Sequence, residues 1–456
     1  MLSRRDFLSS STTALLAAPA TAAAGTGRPP NVVLFLTDDM GCHDLGCLGA
    51  TDLRTPNIDR LGQGGARFTD WYAAAPVCAP SRAALLTGRY PVRAGLTKNG
   101  TPLPENEVTI ADCLKNAGYA TGLVGKWHLG STSSTVPNAR GFDRFFGFHS
   151  GCIDYYSHRY YWGDPKTVNY HDLWSDRTEV FEDGTYSTEL FAREAVAFIR
   201  RHKAEPFFLY VAFNGVHYPM HAPQRYRDQF RHLPPERAMY AAMLSAVDDA
   251  IGEVMREIEA SGLSRNTFTV FTADNGATRE KRAGLNQQPA TAGSNAPFRG
   301  FKFSAFDGGL HLPMVMNWPG AIPSGQVIRE MGCHIDLLPT FCAAAGASLP
   351  ANRVIDGRSA LPMAASQARS PHEALYWSSS DQLAIRRASW KLVQNGADFD
   401  GTEAGSQALT GDDALFLSDL SSDPGERVNL RHKAPAMADQ LATEAAQWLA
   451  DASTRK

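Results

Sequence analysis

The sequence predicts an α/β fold, with a mostly parallel central sheet flanked by helices and a smaller C-terminal α+β domain that contains an antiparallel sheet. Three observations lead there. Continuous apolar runs at residues 31–37 (NVVLFLT), 206–213 (PFFLYVAF) and 267–272 (TFTVFT) lack the alternation of a half-exposed strand, so both faces should be buried, as in a parallel sheet. Segments of helical texture separate these runs. Near residue 365 the texture changes to short strands divided by polar residues, which suits antiparallel pairing.

The chain has 456 residues, 43% of them hydrophobic, enough for a large core and more than one domain. A net charge of -3 gives neither nucleic acid nor an anionic membrane a broad basic surface to bind, so any cationic pocket has to be local. Residues 1–24 read as a twin-arginine signal peptide. Ser3, Arg4, Arg5, Asp6, Phe7 and Leu8 precede alanine-rich cleavage options and an apolar run too short to span a bilayer. A bacterial protein exported to the periplasm or beyond is expected, with no stable membrane insertion. No cysteine precedes Cys42, which argues against a lipid anchor at the amino terminus.

The first domain is expected over 28–365 and the second over 366–456. Asp38 and Asp39 follow the first strand at its carboxyl end, the edge where open α/β sheets bind ligands. Thr55 and Pro56 open a short helix that ends at Gly64, and residues 109–117 form another, stopped by Gly118. A strand at 119–124 then leads to Lys126 and His128. A helix over 187–202 precedes the strand at 206–213, after which come Asn214 and His217. A long helix at 236–261 precedes the strand at 267–272, which runs into Asp274 and Asn275. The stretch 278–306, rich in Gly, Ala, Asn and Arg, predicts a long loop of the kind that carries function. A strand at 313–318 and a helix at 335–345 complete the first domain. Strands at 374–379, 383–387 and 390–394, then a helix at 434–452, make up the second.

Residues 74–89 read AAPVCAPSRAALLTGR. Pro80 predicts a helix that begins near Ser81, with Cys78 at its mouth, where an anionic group is favoured. The ordinary roles of a cysteine are a small buried hydrophobe or half of a disulfide. Here the polar neighbourhood, with Arg82 one helical turn away, points to a site. A thiolate phosphatase would carry an arginine six residues after the cysteine, and position 84 is alanine. Asp38, Asp39, Asp274 and Asn275 offer four hard oxygen ligands at two strand ends, which suit Ca2+ or Mg2+ better than zinc. A plain Asn-Gly turn is the alternative for the second pair.

The string from Cys78 to Arg89 resembles the signature of the sulfatase family, whose Cys-x-Pro-Ser-Arg cysteine is oxidised by a dedicated enzyme to formylglycine. The resemblance implies an alkaline-phosphatase-like fold and hydrolysis of sulfate monoesters. It also implies Asp38, Asp39, Asp274, Asn275 and residue 78 as metal ligands. Lys126 and His128 in GKWHLG, His217 in NGVHYP and Lys302 in RGFK match the family's catalytic and sulfate-binding residues, beside Arg82. Ser150 in GFHSG resembles a serine that some arylsulfatases place near the nucleophile. The match extends from Asn31 to about Pro319 and returns in LFLSDLSSDPGERVNL. Sulfatases commonly carry two glycines before the later lysine, where this chain has Gly300 and Phe301.

The implied cofactors are Ca2+, with Mg2+ as second candidate, and formylglycine made from Cys78. The implied partners are a sulfated small molecule or glycan and the maturation enzyme. Asp154 and His158 belong to a loop with Tyr155, Tyr156, Arg159, Tyr160, Tyr161 and Trp162 that could stack on a sugar ring, with plain packing as the alternative. Two other functions fit the same residues: phosphate or phosphonate ester hydrolysis on this scaffold, and non-catalytic binding of sulfated glycans if Cys78 stays a thiol. The six other cysteines could pair in an oxidising compartment, in no order that spacing assigns.

Overall fold

A computed structural model describes residues 28–161 and 166–454. The leader at 1–24 and Trp162 lie outside these residues. Among them, eleven strands build the larger sheet: β1 (Asn31–Thr37), β2 (Ala66–Tyr72), β3 (Ala120–Lys126), β4 (Arg144–Phe148), β5 (Trp174–Ser175), β6 (Thr178–Glu179), β7 (Phe207–Ala212), β8 (Thr267–Ala273), β9 (His311–Asn317), β10 (Gln326–Ile328) and β11 (Gly332–Cys333). Their order is β10-β2-β9-β8-β1-β7-β3-β4-β5-β6, with β11 beside β2. The central strands β8, β1, β7, β3 and β4 run parallel, and Leu34 pairs with Tyr210 on one side and Val270 on the other. Every residue of β1, β7 and β8 is buried, which is why their sequences carry no polar alternation.

Helices cover the sheet. Ser187–His202 packs on β3 and β7 and against Pro235–Ala260, while Leu337–Ala345 packs on β1 beside Ile110–Asn116 and Cys78–Thr87. Thr109 and Asp112 close a reciprocal capping box that starts Ile110–Asn116. Six strands of this sheet, β2, β4, β5, β6, β10 and β11, escaped the sequence reading. In β2, ARFTDWY, polar residues alternate because it lies near the edge, antiparallel to β9 and flanked only by the short parallel strands β10 and β11, and in β4 a glycine interrupts the apolar run. The helix expected near Ser81 begins at Cys78 itself, three residues earlier, because Pro80 occupies its first turn, where no N–H is needed.

The second sheet holds β12 (Ala374–Ser379), β13 (Gln382–Arg387), β14 (Trp390–Gln394) and β15 (Leu415–Asp419), all antiparallel and in that order. One face buries Trp377 and Phe416 against Tyr72 and Phe306 of the first sheet's side, and the helix Pro435–Thr454 covers the other through Leu441 and Ala445. A polar seam joins the two sheets: Arg386 Nη2 donates to Asp70 Oδ2 at 2.7 Å, and Lys391 Nζ to Asp307 Oδ1 at 2.6 Å. All seven cysteines are free thiols.

Candidate active site

The parallel order of β8, β1, β7 and β3 brings four carboxyl ends to one edge. Asp38 and Asp39 follow β1, Lys126 closes β3 with His128 just beyond, His217 follows β7, and Asp274 and Asn275 follow β8. Backbone bonds tie these ends together: the N–H of Asp38 donates to Gly215 O at 3.0 Å, and that of Asp274 to Thr37 O at 3.1 Å. Asp39 and His128 hold left-handed φ angles of 55° and 60°. Such conformations cost a non-glycine residue roughly 1–3 kcal/mol and cluster at functional sites.

Cys78 is 1% exposed, yet carboxylates and cations rather than hydrocarbon surround its sulfur. Sγ lies 3.8 Å from Asp38 Oδ1 and 4.0 Å from Asp39 Oδ1. Asn99 Oδ1 accepts the N–H of Ala79 at 3.0 Å and so caps the helix mouth. Arg82 donates to Asp274 Oδ2 through Nε at 3.0 Å and Nη2 at 2.8 Å, and Lys126 Nζ donates to Asp38 Oδ2. Both cations stand behind the carboxylates. Lys302 Nζ donates to Asp39 Oδ2 at 2.8 Å and lies 3.4 Å from Glu280 Oε2. The loop delivers it by pairing Lys302 N with Ala277 O at 3.0 Å and Phe303 N with Pro76 O at 2.7 Å. Phe301, where the family pattern has glycine, stacks under Arg279 at 4.4 Å without displacing the lysine.

His217 Nδ1–H donates to the Tyr218 carbonyl at 2.7 Å, which leaves Nε2 facing Asp39 Oδ2 at 3.5 Å. Burial, then Lys302 and Lys126, push His217 well below the usual imidazole range. Burial with Lys126, Arg82 and Lys302 does the same to His128, whose Nδ1 has no partner. Both imidazoles are therefore neutral in the free protein. Lys302 moves the other way: burial disfavours its charge, but Asp39, Cys78 and Glu280 hold the ammonium. Burial and the neighbouring Asp274 push Asp38 up, against Lys126 and Arg82. Asp274 is held well down despite burial, because Arg82, Lys126 and Lys302 face it.

The residues present fit a hard cation. Asp38, Asp39 and Asp274 crowd together, and the Asn275 amide donates through Nδ2 to Asp39 Oδ1 at 2.7 Å while its buried Oδ1 has no partner. One ligand atom each from Asp38, Asp39, Cys78 and His217 lies within 4.8 Å of the others. With Asp274 and Asn275 beside them, four residues offer oxygen donors, as Ca2+ and Mg2+ require.

Above it opens a cleft of about 750 Å3, floored by Cys78, His128, His217 and Lys302. That volume suits a small-molecule or sugar ligand. Ser150 lines the cleft and donates through Oγ to Cys152 O at 3.2 Å. Asp154 and His158 do not line it. Asp154 caps its own turn, accepting from Tyr156 N at 3.0 Å and Ser157 N at 2.8 Å, and His158 is buried with Nε2–H donated to Thr185 O at 3.0 Å. Tyr160 does reach the wall, stacked on Tyr170 at 5.2 Å, with Trp174 and Asp172 beside it. The sequence reading missed Asn99, Tyr170, Asp172, Trp174 and Glu280. Only Glu280 had a signal, its place in the long polar loop.

A buried residue at a helix mouth, ringed by hard oxygen donors and cations and open to a cleft, defines a metal-assisted hydrolase of tetrahedral oxyanion esters. The Sulfatase family model matches residues 30–347, and the model for the N-sulphoglucosamine sulphohydrolase C-terminal region matches 301–451. The chain belongs to the sulfatase family and is a sulfuric ester hydrolase. It is 34% identical to N-acetylgalactosamine-6-sulfatase of Rattus norvegicus, over 92% of this chain and 84% of that one. Identity to steryl-sulfatase of Mus musculus is 32%, over 91% and 80%. The crystal structure of Ps i-CgsB in complex with k-i-k-neocarrahexaose superposes with a TM-score of 0.82 at 30% identity, covering 94% of this chain and 95% of that one.

Proposed function

We propose that this sulfatase removes sulfate from a carbohydrate, as an exported enzyme whose residue 78 has been oxidised to formylglycine and whose carboxylate cluster holds Ca2+. The observation that carries the proposal is the placement of Cys78, in contact with Asp38 and Asp39 and on the floor of a sugar-sized cleft. The names of two similar proteins, N-acetylgalactosamine-6-sulfatase and Ps i-CgsB bound to a neocarrahexaose, support a sulfated glycan as substrate. So do the aromatic side chains of the wall. Export rests on the leader, and no described helix is long and apolar enough to cross a membrane.

Asp38, Asp39, Asp274, Asn275 and residue 78 would hold the cation, which supplies positive charge against the sulfate oxygens and the charge that develops in the transition state. Formylglycine at residue 78 would, when hydrated, supply two hydroxyls on one carbon, a nucleophile for sulfur and a second group whose deprotonation would release sulfate and restore the aldehyde. Arg82 and Lys126 fix and neutralise the carboxylates from behind, while Lys302 reaches the cleft and contacts the anion directly. His217, whose proton in the free protein sits on Nδ1, would take up a proton at Nε2 as the bound anion offsets the charges of Lys302 and Lys126, and pass it to the leaving alcohol. His128, neutral and with Nδ1 unpartnered, accepts the proton of the second hydroxyl.

The test is peptide mass spectrometry at residue 78 in protein made with the maturation enzyme, combined with rates on nitrophenyl sulfate, a phosphate monoester and a phosphonate monoester. Formylglycine at 78 and preferred cleavage of the sulfate are expected. Preferred cleavage of a phosphorus ester, or an unmodified cysteine in protein that binds sulfated glycan without cleaving it, would overturn the proposal.

A further inference from the structure

Away from the acidic cluster, the described residues bring together a second group of ligand atoms. His158, His171 and Asp183 each offer one atom, and the three lie within 4.8 Å of one another. His158 is fully buried and His171 is 9% exposed, while Asp183 lies at the surface. Neither imidazole uses its inward nitrogen: His158 Nδ1 and His171 Nε2 are buried and have no hydrogen-bond partner among the described residues. The outward nitrogens explain the arrangement. His158 Nε2 lies 3.0 Å from the Thr185 carbonyl and His171 Nδ1 lies 3.0 Å from Glu179 Oε1. A carbonyl and a carboxylate only accept, so both outward nitrogens carry the proton and both inward nitrogens carry a lone pair.

Two lone pairs that converge in a buried space, without a donor between them, waste hydrogen-bonding capacity unless a cation fills the gap. Histidines that bind metals show this same arrangement, with the far N–H fixed by a carboxylate or a backbone carbonyl. We propose that His158, His171 and Asp183 form a second metal site, for a transition ion of zinc type, that fastens the wall of the substrate cleft. Two imidazoles and one carboxylate favour Zn2+ over the hard cation suited to the first site. Tetrahedral Zn2+ with bonds of about 2.0–2.1 Å needs its ligand atoms roughly 3.4 Å apart, so a group already within 4.8 Å needs only a small closure on binding. Asp183, at the surface, gives the ion an entry path and leaves a fourth position for water.

The consequence is mechanical. His171 also lines the cleft, and Glu179 belongs to β6, the outermost strand of the sheet. An ion here would pin that hairpin to the turn that precedes Tyr160. His158 is thereby assigned to a metal and not to sugar.

The variants are chosen to keep the fold. His158→Gln retains an N–H donor toward Thr185 and loses the ligand, while His171→Asn retains one toward Glu179. Asp183→Asn alters only a surface group. Zn2+ binding to the untagged, full-length protein is measured by calorimetry with Ca2+ in excess, so that the acidic cluster is occupied, and each variant's melting temperature is recorded with and without Zn2+. The parent should bind one equivalent that His158→Gln and His171→Asn weaken by more than about 100-fold, since even the outer partners of metal-bound histidines are worth roughly 10–100-fold. Asp183→Asn should weaken it too, and Co2+ in place of Zn2+ should give tetrahedral absorption bands in the parent alone. Zn2+ should raise the parent's melting temperature and leave the histidine variants where they were. A parent that binds no Zn2+ beyond its Ca2+ site, or binding that all three variants retain, would overturn the proposal.

Discussion

Replacing His217 by asparagine separates proton donation from folding. An asparagine amide can still donate toward the Tyr218 carbonyl, which His217 Nδ1–H reaches at 2.7 Å, but it places nothing where Nε2 faces Asp39 at 3.5 Å. Burial, Lys302 and Lys126 keep the imidazole neutral in the free enzyme, so it gains the proton it donates from solvent as the anionic substrate binds and offsets the two lysine charges. General acid assistance is typically worth about 10²–10⁴-fold in rate, or about 2.7–5.4 kcal/mol at 1.36 kcal/mol per decade. It matters only when the alcohol leaves badly. The expected result is therefore a split: kcat/KM on an alkyl or sugar sulfate falls by about 10²–10⁴-fold, whereas nitrophenyl sulfate, whose phenolate leaves unaided, loses little. Both substrates are assayed at one pH, with formylglycine content and melting temperature matched to the parent. Equal losses on the two would remove His217 from this role and leave Lys302 as the acid.

Cys78→Ser provides one hydroxyl at residue 78 where formylglycine provides two, so the variant should release at most one equivalent of alcohol and stop with sulfate bound to the serine; steady turnover at the parent's rate would refute the need for the second hydroxyl. Chelation should lower the melting temperature and activity together, and Ca2+ should restore both, since an ion at 100 times its Kd contributes about 2.7 kcal/mol. An unchanged melting curve would exclude a tightly held cation. Asp70 is held down to about 2 despite burial, because His311, 3.7 Å away, and Arg386, which donates to both of its oxygens, favour the carboxylate. A depressed carboxylate stabilises the fold above its unfolded pKa of about 3.9, and that contribution is lost as pH falls toward 2. Asp70→Asn should thus cost on the order of 2 kcal/mol in urea unfolding at pH 7, and the gap should narrow below pH 4; a constant gap would refute the linkage.

The parallel core was legible because burial on both faces leaves an unbroken apolar run, as in NVVLFLT and TFTVFT, and because Asp38, Lys126, His217 and Asp274 each follow such a run. Which ends would be neighbours was not, since strand order depends on long-range pairing such as β1 with both β7 and β8. β2 stayed hidden because its burial alternates and breaks at a bulge between Phe68 and Trp71. In the site, local motifs marked residues that touch residue 78 but not the direction each side chain takes. Arg82 and Lys126 were expected at the sulfate and instead stand behind Asp274 and Asp38. His158 lay in a loop of sugar-binding texture, yet its ring turns inward toward His171, a contact thirteen residues apart that no periodicity announces. Asp172 and Trp174 meet through a hydrogen bond of 2.8 Å in a stretch without motif.

Charge accounts for the choice of substrate better than shape does. Asp38, Asp39, Asp274 and Glu280 set four carboxylates against the three cations Arg82, Lys126 and Lys302, all within one network of contacts. A divalent ion would turn that slight negative excess into a single positive charge, which a sulfate monoester, itself a monoanion, would neutralise. A phosphate monoester dianion would leave an uncompensated charge where burial makes it cost several kcal/mol, and Arg82 and Lys126 already hold carboxylates. A phosphonate monoester carries one charge and escapes this penalty. It is the stricter competitor for the site, and the rate on it decides whether net charge alone or the chemistry at residue 78 selects sulfur.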